Sequence, residues 1–144
     1  MIVTPSSFKP LVAPVSHHTS HTFAFRGAEL LVREADAALP DTAAARGLGI
    51  DDATAHVVGL LGETYCRAVS VPAGASPPEG YAFTPMRRLW TRMDDALLAV
   101  AGRAFQIVEW ARTHRFCGVC GQPMVQVPGE RAMKCACGHT AYPR

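Results

Sequence analysis

The stretch that decides the reading is Arg115–His139, "RFCGVCGQPMVQVPGERAMKCACGH". It opens with Cys117-Gly118-Val119-Cys120-Gly121 and ends in Cys135-Ala136-Cys137-Gly138-His139. A Cys-x2-Cys turn followed by glycine presents two thiolates to one ion. A second such turn beyond a short hairpin completes the four ligands that tetrahedral zinc takes. That pattern describes a zinc ribbon. The second pair is one residue tighter than the first, which leaves less slack for both sulfurs to face one ion. His139 is near enough to stand in, so the fourth ligand stays open between a cysteine and His139. Unliganded buried thiols, or an iron–sulfur or redox role, are the competing readings of the cluster.

Outward from the ribbon, the cysteine distribution bears on compartment. Four of the 5 cysteines crowd into this stretch, and Cys66 stands apart. Clustering of this kind suits thiolate ligands in a reducing compartment better than disulfides, which points to the cytoplasm. A module of roughly 30 residues cannot bury enough apolar surface to fold alone, so the ion's expected role is structural. Basic residues surround it: Arg112, His114, Arg115, Arg131, Lys134 and Arg144. A net charge of +2 over 144 residues, without interleaved aromatics, makes a nucleic-acid surface the weaker reading.

Upstream of the ribbon, "DDALLAVAGRAFQIVEWARTHR" places Leu97, Leu98, Ala101, Phe105, Val108 and Ala111 at three- and four-residue steps, predicting an amphipathic helix that begins at Asp94–Asp95 and ends near Thr113. Before it, Thr22–Arg26 and Glu29–Arg33 read as strands turning at Gly27. Val57–Leu61 and Tyr65–Val71 read as a second hairpin about Gly62. In that hairpin Tyr65, Arg67, Val69 and Val71 share one face, with Cys66 and Ala68 on the other. Cys66 reads as a small core residue. Residues 35–52 read as a connection with one helical turn, and 72–80 as a Pro/Gly loop. Thr84 reads as the N-cap of a short helix carrying Pro85 to Arg92, with Arg87 and Arg88 as a solvated basic turn or an anion contact.

The first 21 residues, rich in Pro, Ser and His, read as a flexible arm, with His17, His18 and His21 as solvated side chains rather than a second metal site. No apolar run approaches the ~18 residues that span a bilayer, and the broken N-terminus does not resemble a secretory signal. The expected architecture is α+β: an arm (1–21), a small sheet closed by a C-terminal amphipathic helix (22–113), and a zinc ribbon (114–144).

"AGRAFQIVEWARTHRFCGVCGQPM…GERAMKCACGHTAYPR" closely resembles the region preceding the catalytic domain in NADH pyrophosphatases of the Nudix hydrolase superfamily, and "FRGAELLV" and "FTPMRRLW" look like that family's N-terminal domain. The resemblance is dense over 84–144 and looser over 22–71. It implies an enzyme that hydrolyses NAD(H) to nicotinamide mononucleotide and AMP, or removes NAD caps from RNA. It also implies a homodimer with one zinc per chain and Mg2+ or Mn2+ for catalysis. By position, Cys117, Cys120, Cys135 and Cys137 match the zinc ligands. Arg88, Glu130 and Tyr142 match substrate-contacting residues, and Arg33 matches a further basic position in the looser alignment. The sequence departs from the family in the short second cysteine pair. It also lacks the glutamate-rich Nudix box, whose carboxylates hold divalent metal against a pyrophosphate. The expectation is therefore the non-catalytic front part of such an enzyme, cut from a longer chain. A stand-alone zinc-ribbon module binding nucleic acid or protein is the alternative.

Overall fold

The computed structural model describes residues 3–15 and 20–143. Its centre is a six-stranded sheet of β1 (Phe8–Pro10), β2 (Ser20–Arg26), β3 (Glu29–Arg33), β4 (His56–Leu61), β5 (Thr64–Ser70) and β6 (Tyr81–Pro85), in the order β1-β4-β5-β2-β3-β6. Only β2 and β5 run parallel; every other neighbouring pair is antiparallel. Gly27 and Gly62 turn the two hairpins with φ of 60° and 62°, a conformation costly to any residue with a Cβ.

Alternation along the strands gives the sheet two apolar faces. On one face Phe23, Phe25, Leu30, Val32, Cys66 and Ala68 meet the long helix α2 (Asp95–Thr113) through Leu98, Ala101, Ala104, Ile107 and Val108. On the other, Ala24, Leu31, Val69, Val71 and Phe83 are covered by Ala45 of the short helix α1 (Thr42–Gly47) and by Ile50 beyond it. The sequence-predicted split of β5 into two faces holds. Arg67, on the α1 side, is one of two buried polar residues among those described. It is satisfied by Thr22 Oγ1 at 2.9 Å and Asp52 at 3.0 Å. Asp94 caps α2 as expected, its carboxylate accepting from the Ala96 and Leu97 amides.

Two strands were not anticipated. Phe8–Pro10, read as part of a flexible arm, pairs antiparallel with β4, Lys9 opposite Leu60. Its docking depends on Gly59, beside a bulge in β4: a Cβ there would sit 2.4 Å from the Lys9 carbonyl oxygen. His21, also assigned to the arm, is half-buried in β2. His17 and His18 lie outside the described residues. At the other edge, Thr84 is not a helix cap. It pairs with Leu30 in β6 because the residue before a proline is driven to extended backbone, and Pro85 is tolerated on an edge strand. The short helix that follows is a 3-10 turn, Met86–Leu89, with no side-chain cap.

The ribbon is a three-stranded sheet of β7 (Val125–Gln126), β8 (Met133–Lys134) and β9 (Thr140–Ala141), in sequence order. It abuts the last turn of α2 through a small cluster of Trp110, Ala111 and Met133, with Met124 and Ala141 alongside. No described helix is long and apolar enough to cross a membrane.

Candidate metal centre

Two knuckles hold the four cysteines. In the first, the Gly121 amide donates to the Cys117 carbonyl at 2.9 Å and the Cys117 amide donates to the Gln122 carbonyl at 2.8 Å. In the second, the Gly138 amide donates to the Cys135 carbonyl at 2.9 Å and the Cys135 amide donates to the His139 carbonyl at 2.9 Å. The first turn thus closes over five residues, Cys117–Gly121, and the second over four, Cys135–Gly138. Tightening the second turn absorbs the residue missing from the second cysteine pair. Gly121 and Gly138 take φ of 78° and 99°, and these left-handed positions let each chain leave its knuckle at once.

The consequence is a single cluster. The sulfurs of Cys117, Cys120, Cys135 and Cys137 all lie within 4.8 Å of one another, with Cys117–Cys137 at 3.7 Å and Cys120–Cys135 at 3.4 Å. A tetrahedral ion with zinc–sulfur bonds near 2.3 Å separates its ligands by about 3.8 Å, so the four fit one zinc with small adjustment. His139 is not in the cluster; its carbonyl closes the second knuckle, and its exposed side chain borders a different cleft.

Electrostatics fit the same chemistry. The Cys120 and Val119 amides point at the Cys117 sulfur and pull that thiol down to about 6, against the opposing effect of desolvation. The Cys137 amide likewise favours the Cys135 thiolate. Desolvation and the crowded Cys120, Cys137 and Cys117 sulfurs outweigh it and push Cys135 up to about 12. Four adjacent thiols do not all ionise without a cation; a divalent ion is what removes that repulsion. Cys66 differs in kind. Buried under α2, its thiol is pushed up to about 11 by desolvation, as expected of a packing residue.

The positions matched to substrate contacts are exposed and stand on different segments of the chain. Arg88 is exposed on the 3-10 turn, Glu130 is exposed at the ribbon hairpin after Gly129, and Tyr142 is 62% exposed just beyond β9. Among the described residues no side-chain hydrogen bond or ion pair joins them. Tyr142 does share a cleft of about 410 Å3 with His114, Phe116, Met124 and His139. Arg33 is engaged locally, its guanidinium donating to both Asp36 oxygens at 2.9 and 2.8 Å. Those bonds, with the Ala38 amide, hold the Asp36 carboxyl down at about 2. What sequence reasoning missed at the centre is the role of the Gln122 and His139 carbonyls. A glycine at a fixed step after each cysteine pair was the available signal.

A sheet domain closed by one long helix and continued into a four-cysteine ribbon defines a class of two-part proteins with a structural metal module. Within it, this chain belongs to the NADH pyrophosphatase-like rudimentary NUDIX domain family, which matches residues 19–110, followed by the NADH pyrophosphatase zinc ribbon domain over residues 112–142. Among similar proteins, the NAD-capped RNA hydrolase NudC of Pseudomonas fluorescens is 43% identical over 90 residues, covering 62% of this chain and 32% of that protein. NudC of Deinococcus radiodurans is 38% identical over 88 residues, covering 60% and 31% respectively. NudC of Pseudomonas entomophila is 48% identical over 71 residues, covering 49% and 26%. The matched region thus spans about a third or less of these curated relatives.

Proposed function

We propose that this chain is the non-catalytic front part of an NADH pyrophosphatase, an enzyme that hydrolyses NAD(H) to NMN(H) and AMP and also acts on NAD-capped RNA. Cys117, Cys120, Cys135 and Cys137 hold one structural zinc. The observation that carries this reading is the four-sulfur cluster, standing on a ribbon that matches the pyrophosphatase zinc ribbon domain directly after the matching NUDIX-like domain. The zinc supplies a cross-link rather than chemistry: with four cysteines on the ion, no position is left for a reacting water.

Arg88, Glu130 and Tyr142 frame the dinucleotide in the intact protein, where a Nudix domain beyond residue 144 supplies the carboxylates that hold Mg2+ or Mn2+. The exposure of these side chains fits a site completed by that domain and by a second protomer, in a cytoplasmic homodimer. Arg33 joins the site by exchanging Asp36 for substrate phosphate. The exposed Arg88 and Tyr142 support this reading, since neither spends its side chain on an internal partner among the described residues.

The test compares residues 1–144 with the protein read through the remainder of its gene, both with Mg2+ and NADH. The longer protein releases NMNH and AMP, and residues 1–144 release neither. Cleavage by the short chain, or a reading frame without a glutamate-rich Nudix box, would overturn the proposal. The latter result would favour a free-standing ribbon that binds nucleic acid or protein.

A further inference from the structure

Between α2 and the ribbon lies a cleft of about 220 Å3 lined by Arg103, Gln106, Ile107, Trp110, Arg131 and Pro143. Two of its six lining residues are arginines, and no carboxylate lines it. Arg131 donates to the Leu11 carbonyl, and Arg103 lies over the Phe8 ring with its charge 5.7 Å from the centroid. Neither has an ion-pair partner among the described residues. The two cations feel one another: burial and the nearby Arg103 charge both lower the Arg131 pKa.

Trp110 lines the same cleft and carries a further donor. Trp110 is 7% exposed, and its Nε1 is the one buried side-chain nitrogen or oxygen without a hydrogen-bond partner among the described residues. Buried donors are almost always satisfied, so an orphan on a residue beside two arginines without ion-pair partners among the described residues calls for an acceptor. One group answers all three: an oxyanion, neutralising the guanidiniums while a small shift of the ring brings its N–H to an oxygen. Arginine's planar fork suits phosphate in particular. The volume falls below the roughly 300 Å3 at which pockets for drug-sized ligands begin, so it fits a single phosphate group better than a whole dinucleotide.

We infer that this cleft is a phosphate-binding site, in which Arg103 and Arg131 grip the oxyanion and the Trp110 indole N–H is the third donor. The phosphate is either free or carried by a nucleotide. The site does not depend on pyrophosphate cleavage, and its test does not measure it.

With only Trp90 and Trp110 in the sequence, the zinc-loaded chain has two indole N–H signals in a nitrogen-15 correlation spectrum. It is titrated in phosphate-free buffer with inorganic phosphate, AMP and adenosine. The Trp110 signal is expected to shift saturably with phosphate and with AMP and to stay fixed with adenosine. Equal affinities indicate that the free ion suffices, and at least tenfold tighter AMP places the phosphate on a nucleotide. Arg103→Gln, at an exposed position that leaves the fold intact, and Arg131→Gln should each weaken binding by roughly tenfold or more, with Arg131→Lys retaining part of it. No saturable shift up to about 10 mM phosphate, a response to adenosine, or undiminished binding by Arg103→Gln would overturn the site.

Discussion

Phe23, Phe25, Leu30 and Val32 of the sheet are completely shielded from solvent, packed under Leu98, Ala101 and Ala104 of α2. In the ribbon only Ala132, Met133, Cys117 and Cys135 are buried among the described residues, while Val119 and Val125 are 73% and 70% exposed. The sheet domain stands on two apolar clusters, one on each face, and the ribbon on four sulfurs and one shared cluster at Trp110. The contrast follows from size. Roughly 90 residues are enough to build a two-sided core; roughly 30 are not, and the proposed zinc would do the work of the missing apolar area. The same contrast separates the cysteines. Cys66 serves as a small apolar group, while the other four are gathered by their turns into the one cluster proposed to hold zinc.

Removing the metal breaks the comparison most sharply. Structural zinc contributes on the order of 10 kcal/mol or more to modules of this kind. A chelator should therefore unfold residues 114–143 while leaving 20–113 folded. Hydrogen exchange read per residue is expected to show protection lost in β7, β8 and β9 and kept in β2, β3 and β5. Alkylation at pH 8 supplies a second readout. After chelation the four ribbon thiols should be modified and Cys66 should not. Its folded pKa, about 11, lies above the ordinary thiol value. Only about one part in a thousand is thiolate at pH 8, and the buried neutral thiol's contribution to stability is lost only as pH rises toward 11. Global unfolding on chelation would mean that the two regions form one cooperative unit.

Within the sheet domain the prediction concerns its least expected edge. Gly59→Ala places a Cβ 2.4 Å from the Lys9 carbonyl oxygen and closer than 3 Å to the Phe8 ring. Backbone has to move, and the expected cost is about 1–3 kcal/mol, the range for overpacking. The loss should be local. Amides tied to the first strand, such as Leu11 to the Val58 carbonyl and Gly62 to the Ser7 carbonyl, exchange faster while α2 stays protected. A variant as stable as the parent, with those amides unchanged, would show that the strand and Gly59 are not matched as described.

That edge also shows why legibility differed along the chain. The two hairpins could be read because glycine turns and alternating side chains coincide at Gly27 and Gly62. The long helix could be read because its apolar period runs over five turns and a capping aspartate precedes it. Phe8–Pro10 is too short to show a period and ends in a residue that weakens any strand assignment. Its partner lies some 50 residues away, a pairing that local pattern does not encode. Thr84–Pro85 misled for a related reason: the same dipeptide suits a helix start and a strand end, and pairing with Leu30 decides between them. In the ribbon, residue spacing identified the cluster but left three candidate ligands for the second pair. Turn hydrogen bonds, invisible in spacing alone, separate them.

The smallest expected effect follows from that separation. The His139 carbonyl closes the second knuckle on the Cys135 amide, whereas its side chain borders the cleft beside Tyr142 and takes no place among the four sulfurs. His139→Ala keeps the carbonyl and removes only the imidazole. Zinc content per chain and melting temperature should be unchanged, with any stability difference within about 0.5 kcal/mol, as for ordinary surface substitutions. Cys137→Ser, by contrast, removes a ligand and should release the metal to a chelator at far lower concentration. If the two substitutions weaken zinc retention alike, the imidazole shares the site and the tighter knuckle does not bring both of its sulfurs to one ion. If only Cys137→Ser does, shortening a cysteine pair by one residue is accommodated by a tighter turn, with no change in the ligand set.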